Sequence, residues 1–331
     1  MASADQVKAL LNSLLEGDEA HFYSVAMQIA AHEARLGHGK FAEELRAIID
    51  KVKSRTVVPT KQPIPLARPR GEVAELLSVS YPSVRLSDMV LSPTIKRKLQ
   101  RTIQEHKAVR EIRSRGLPPR KKLLLVGKPG TGKTLTASAL ATELGLPLFV
   151  VRLDSLITKF MGETASKLRL IFEALSHTRG VYLFDEFDSI GSSRGLGNDV
   201  GEIRRIVNSF LQMVEQDNSD SLVLAATNHV KILDRALFRR FDDVIEYTLP
   251  NENQIADALK SKLTAFSAKR IQWSRVAKAA RGLSFADITR ACEDSIKDTI
   301  IHGRGLVTQS DLMKAVLERK VALTHRSKAS S

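Results

Sequence analysis

The sequence predicts an α/β domain: a mostly parallel sheet sandwiched by helices, with a small helical bundle before it and a helical subdomain after it. Three observations carry this. From Lys121 onward, short β-rich apolar runs alternate with helical patterns, the order that crossover-linked parallel strands impose. The runs are Leu123–Val126, Leu148–Val151, Val181–Phe184, Leu222–Ala226 and Val244–Tyr247. The first leads directly into a glycine-rich loop and a helical stretch from Thr134 to about Leu144. After Pro250 the strand runs stop, and helical spacing takes over at Gln254–Phe266, Ile271–Ala280, Phe285–Ile301 and Gln309–Val321.

The start of the chain reads as helices. Val7, Leu10, Leu11, Leu14 and Leu15 recur on one helical face, Asp18 is placed as an N-cap, and Phe22, Val25, Ala26, Ile29 and Ala30 repeat the period. Gly37 and Gly39 interrupt it, and Phe41, Leu45, Ile48, Ile49 and Val52 form a third stripe. Residues 1–55 are therefore expected to form a bundle that selects partners. Pro59, Pro63, Pro65 and Pro69 remove backbone donors and favour extended chain, so 56–84 reads as a stiff linker. The α/β part is expected over 85–250, the helical part over 251–325, and a frayed tail over 326–331.

At 43% hydrophobic content the chain can bury a sizeable core, yet its apolar runs are strand-sized, far short of the ~20 residues of a membrane-spanning helix. Met1–Leu15 lacks the basic and apolar regions of a secretory signal, and Cys292 is the only cysteine. A soluble, cytoplasmic protein without a membrane partner is expected. Cys292 itself reads as a small core residue. Most of the net charge of +14 comes from eleven Lys and Arg between Ser92 and Lys122, opposed there only by Glu105 and Glu111. Such a cluster attracts nucleic acid or an acidic protein, or is simply a solvated helix face.

The chemistry concentrates at four places. Gly127, Lys128, Pro129, Gly130, Thr131, Gly132, Lys133 and Thr134 fit G-x-x-x-x-G-K-[ST] between a strand and a helix, the context that motif requires. Glycines let the backbone turn its N–H groups onto phosphates at a helix N-terminus. Lys133 is then placed on the β- and γ-phosphates of ATP, and the Thr134 hydroxyl on Mg²⁺. Val181–Phe184 ends in Asp185 and Glu186, giving one carboxylate for the metal ion and one to accept a proton from the attacking water. Leu222–Thr227 ends in Asn228, which carries a donor and an acceptor suited to the γ-phosphate and that water. Arg239 and Arg240 stand together before the last strand and read as arginine fingers acting on an adjacent subunit. A turn role for Asn228 and a plain surface pair for the arginines are the alternatives.

Taken together, GKPGTGKT, VYLFDEFD, LAATNH, LDRALFRRFDD and GLSFAD resemble the AAA family of ATPases over roughly Arg85 to Val321. The resemblance implies a homo-oligomeric ring, usually of six subunits, with ATP between neighbours and a helical lid over it. Asn228 then matches sensor 1, Arg239 and Arg240 the paired fingers, Val181–Glu186 the Walker B motif, and Asp188 the acidic residue after it. The compact Arg-Arg-Phe is similar to the spastin and katanin pattern. Ser284-Phe285-Ala286-Asp287 departs from the commoner Ser-Gly-Ala-Asp, where some relatives carry an adenine-facing Gly. Lys159-Phe160-Met161-Gly162-Glu163 matches the pore loop of AAA unfoldases, in which Phe160 and Met161 would grip a polypeptide and Gly162 would let the loop flex. A core role for Phe160 and Met161 is the competing reading. Ser193–Gly201 sits at the second pore-loop position.

Three functions fit these readings. The first is a motor pulling a polypeptide through a ring. The second is a nucleic-acid-associated ATPase using 92–122, and the third a nucleotide-dependent scaffold for a separately encoded protease, hydrolase or adaptor docking on 1–55. His32-Glu33-Ala34-Arg35-Leu36 lacks the second histidine of H-E-x-x-H, so no zinc protease site is expected there.

Overall fold

A computed structural model describes residues 72–151, 163–186, 200–228, 238–264, 266 and 271–329, together with scattered residues between 25 and 47. The chain divides into two compact units, 1–62 and 63–331. In the first, Val25, Ala26, Ile29 and Ala30 are buried, as their helical spacing predicts. Of the third stripe, Phe41 is among the described residues, and Leu45, Ile48, Ile49 and Val52 lie outside them. Phe41 is 52% exposed and its neighbour Ala42 is 5% exposed. A shift of one residue turns a helix by about 100°, so the small Ala, not the Phe, takes the inward position.

The second unit opens with α1 (Val73–Leu76) and β1 (Leu77–Ser80), followed by α2 (Pro93–Lys107), α3 (Val109–Ser114) and β2 (Lys122–Gly127). Then come α4 (Lys133–Leu144), β3 (Leu148–Val151), α5 (Thr164–His177), β4 (Val181–Phe184), α6 (Val200–Gln216), β5 (Leu222–Thr227) and β6 (Asp243–Tyr247). All five strands anticipated from sequence are present. The sixth, β1, falls inside the stretch assigned to the linker 56–84 and corrects its C-terminal part. Leu77 and Val79 alternate with Ser78 and Ser80, and the strand pairs antiparallel to β3 with Leu77 opposite Val151. The sheet order is β1-β3-β4-β5-β2-β6, and every pairing other than β1 with β3 is parallel.

Period-two alternation splits the core between the two faces of this sheet. Leu124 and Val126 of β2 face one cluster with Phe149, Tyr182, Phe184 and Phe210. Leu123 and Leu125 face the other, with Leu99, Ile103, Leu140 and Ile245. On the first face Phe149 stacks on Tyr182 at 4.5 Å between centroids, and Phe210 meets Phe184 edge-on at 4.9 Å. Such pairs add about 0.5–1.5 kcal/mol each beyond their buried area. Strands buried on both faces read as continuous apolar runs, which is why β2, β4 and β5 stand out in the sequence.

A separate apolar cluster holds the C-terminal helices α7 (Glu252–Leu263), α8 (Trp273–Ala279), α9 (Phe285–Ile301) and α10 (Gln309–Ala329). Asn251 caps α7 and Ser284 caps α9, each with its N3 partner, Gln254 or Asp287, bonding back. Cys292 lies in this cluster at 1% exposure, and burial pushes its thiol up to about 12, so it stays protonated. No helix of the described residues is long and apolar enough to cross a membrane.

The basic segment 92–122 is partly neutralised within the fold, six of its cations sharing five carboxylates. Lys98 bonds Asp243 at 2.7 Å, Lys121 lies 3.2 Å from Asp217, and Arg101 lies 3.0 Å from Glu105. Arg113 pairs with Asp220, Arg115 with Glu111, and Arg120 with Glu105 and Asp243. Lys96, Arg97, Lys107 and Arg110 are exposed and make no ion pair among the described residues.

Candidate nucleotide site

Three motifs read from the sequence meet at the C-terminal ends of adjacent parallel strands. The glycine-rich loop follows β2, Asp185 and Glu186 follow β4, and Asn228 follows β5, which lies between those two. In open α/β sheets this edge is where ligands bind. Each glycine of the loop is required for its own reason. A Cβ on Gly127 would come within 2.4 Å of the Tyr247 carbonyl oxygen, because β6 packs flush against the loop's origin. Gly130 has φ +75°, and a Cβ there would lie 2.5 Å from Ser284 Oγ and 2.9 Å from Ala286 Cβ. Gly132, at φ +102°, is the N-cap of α4. Thr131 Oγ1 donates to the Lys128 carbonyl at 2.7 Å and closes the turn.

The site therefore touches the C-terminal helices. Ala286 N–H donates to the Gly130 carbonyl at 3.1 Å, placing the first turn of α9 on the phosphate loop. Through Gly130, the Ser284-Phe285-Ala286-Asp287 stretch is in contact with the loop itself. Gly130→Ala is expected to cost about 1–2 kcal/mol from backbone handedness alone, before the contacts with Ser284 and Ala286 are counted. If the loop rearranges to relieve this, nucleotide binding weakens roughly ten-fold. Titration with a fluorescent ATP analogue checks this; unchanged affinity would show that the loop does not depend on the observed turn.

Lys133 is 7% exposed. Its Nζ donates to the carbonyls of Gly127 at 2.7 Å and Lys128 at 3.1 Å, and to Asn228 Oδ1 at 2.8 Å. Phosphate oxygens carry charge and bind an ammonium more strongly than neutral oxygens such as these do. Thr134 Oγ1 donates to Asp185 Oδ2 at 2.7 Å, and Glu186 N–H donates to Asp185 Oδ1 at 2.9 Å. A hydroxyl beside a carboxylate is the hard-oxygen set that suits Mg²⁺. Glu186 has φ +50°, the left-handed region, at a cost of about 1–3 kcal/mol of the kind that gathers at active sites. Beneath the loop, the buried hydroxyls of Thr136 and Tyr247 meet at 2.6 Å and tie α4 to the end of β6.

Arg239 and Arg240 lie at the opposite end of the sheet. β6 pairs with β2 so that Asp243 stands beside Leu123 and Tyr247 beside Gly127, a separation of roughly 13 Å along the strand. Asp242 N–H donates to the Lys122 carbonyl at 2.8 Å, fixing the segment at the start of β2. Neither guanidinium reaches its own chain's Lys133 from there. Arg239 is exposed, and Arg240 pairs with Glu215. Phe160, Met161 and Gly162, together with Asp188 and residues 193–199, lie outside the described residues.

Comparison with known proteins decides the family. The model of the ATPase family associated with various cellular activities (AAA) matches residues 123–249. The chain is 36% identical over 320 residues to Uncharacterized AAA family ATPase y4kL of Sinorhizobium fredii, covering 96% of this chain and 95% of that one. The chain belongs to the AAA family. This AAA protein is an ATPase, and its phosphate loop, acidic strand end and Asn228 form one site. It is also 33% identical over 262 residues to the ATP-dependent zinc metalloprotease FtsH of Helicobacter pylori, and 34% over 211 residues to the Proteasome-activating nucleotidase of Methanococcus vannielii. Those matches cover 76% and 61% of this chain, but only 41% and 52% of the relatives.

Sequence reasoning missed Tyr247 and Thr136, which meet beneath the loop, and Glu215, which pairs with Arg240 at the other end of the sheet. Tyr247 ends a strand run and Thr136 lies three residues past Lys133, so a search for polar side chains flanking the loop would have found both.

Proposed function

We propose that this AAA ATPase is a protein-remodelling motor, a homo-oligomeric ring of six in which each site is completed by its neighbour. The observation that carries the reading is the aromatic–hydrophobic–Gly triplet Phe160-Met161-Gly162 between β3 and α5, in a chain similar to a zinc metalloprotease and a proteasome-activating nucleotidase. The names of both relatives refer to proteolysis. A ring that feeds polypeptide to a separately encoded protease or adaptor, with residues 1–55 choosing the partner in the cytoplasm, fits both.

In the mechanism, the loop 127–132 presents backbone N–H groups and Lys133 neutralises the β- and γ-phosphates of ATP. Thr134 and Asp185 would hold Mg²⁺, which when bound supplies further positive charge at those oxygens. Glu186 takes a proton from the attacking water, and Asn228 orients that water against the γ-phosphate. The charge that develops on the γ-phosphoryl group meets a guanidinium from the neighbour's Arg239–Arg240 segment. Six of the eleven cations in 92–122 are spent on carboxylates, which favours this reading over nucleic-acid binding.

Phe160→Ala is the test. Partners captured by the ATP-trapping Glu186→Gln protein supply the substrate. The variant is expected to assemble and to keep basal ATPase, while substrate-stimulated hydrolysis and substrate unfolding are lost. Were Phe160 a core residue, truncation would cost ~3–5 kcal/mol and lower the melting temperature with every activity. A folded Phe160→Ala ring that unfolds substrate at the wild-type rate refutes the motor.

A further inference from the structure

The two adjacent arginines are held differently. Phe241 is buried in the sheet core and Phe238 packs against the same cluster, so the segment is anchored on both sides of the pair. Asp242 adds a second anchor, its carboxylate accepting from the backbone N–H groups of Lys121 and Lys122 at 2.8 and 2.9 Å. Between these anchors Arg239 is exposed and makes no ion pair among the described residues, whereas Arg240 is engaged by Glu215 in the last turn of α6.

The Glu215 carboxylate is 62% exposed, and it is the backbone of Glu215 that is fixed. Its carbonyl accepts from Lys122 Nζ at 3.1 Å, and two residues on, the Asp217 carbonyl accepts from Lys121 Nζ at 2.8 Å. The end of α6, the start of β2 and the arginine segment thus form one braced corner. A guanidinium already paired with a carboxylate is partly compensated, so Arg240 is less suited to a phosphate than Arg239 is.

We infer that Arg240 is a positioning residue: its ion pair with Glu215 braces the corner that presents Arg239, and Arg239 alone supplies the guanidinium to the neighbouring site. This rests on the reading that the segment acts across subunits. The pair is partly exposed and adds little to fold stability, so its effect lies in where Arg239 stands. Small misplacements of a catalytic group are expensive in rate.

The experiment is a double-mutant cycle on assembled protein, reading kcat and KM for ATP with Glu215→Ala, Arg240→Ala, the two together, and the exchange of Glu215→Arg with Arg240→Glu. Each single variant and the double are expected to lower kcat by the same factor, about 10- to 100-fold, with KM little changed. The exchange should return kcat to within a few-fold of wild type, which a phosphate-contacting Arg240 could not do. Arg239→Ala should lose at least ~10³-fold. An Arg240→Ala loss matching that of Arg239→Ala, beside a near-normal Glu215→Ala, overturns the proposal, as does an exchange variant no better than Arg240→Ala. If Arg239→Ala leaves turnover intact, the cross-subunit reading fails instead, a result distinguishable from either.

Discussion

Glu186→Gln should bind ATP as tightly as the wild type and hydrolyse it at least ~10²-fold more slowly, the usual contribution of a positioned base. Gln keeps the shape and hydrogen-bonding reach of Glu but cannot take a proton. The backbone N–H of residue 186 still bonds to Asp185 Oδ1, so the left-handed turn survives the change. Lys133→Ala should fail at the earlier stage, because it removes the loop cation that bonds Asn228 and takes a donor from the Gly127 carbonyl. Equilibrium nucleotide binding and phosphate release, measured side by side, separate the two effects. Near-normal turnover in Glu186→Gln would remove Glu186 from the chemistry.

Arg239→Ala should bind nucleotide normally and lose about 10³- to 10⁵-fold in kcat, the range known for trans-acting arginines. Its segment sits at the start of β6, opposite Leu123, whereas the phosphate loop begins opposite Tyr247. Loss of the side chain should therefore leave its own chain's pocket untouched and impair only a neighbouring site, as the proposed function requires. Melting temperature should hold, since Phe241 and Asp242 provide the anchoring. A fall in nucleotide affinity matching the fall in rate would instead mean that Arg239 acts within its own subunit.

Much of this was legible because the strands of a doubly covered sheet are short, apolar and followed by polar residues with defined tasks. Leu123–Val126, Val181–Phe184 and Leu222–Ala226 could be read as strands, and the residues after them as the site, without knowledge of the pairing order. β1 was missed because four residues, Leu77–Ser80, carry too little periodicity to outweigh the proline-rich run before them. Phe41 shows that a hydrophobic period fixes a helix but not which of two adjacent residues points inward. Glu215 was illegible for another reason. It is one carboxylate near the end of an amphipathic helix, and only the fold places it against Arg240. The contact between Gly130 and the first turn of α9 likewise joins residues more than 150 positions apart.

The most direct measurement mixes two inactive proteins. Lys133→Ala subunits are expected to lose ATP binding but keep Arg239, and Arg239→Ala subunits to keep an intact pocket but offer no finger. With mixed assembly verified by differential tags, the account predicts that ATPase activity reappears, rising with the fraction of interfaces that pair an intact pocket with an intact Arg239. Mixed rings as inactive as either parent would contradict a site shared between subunits.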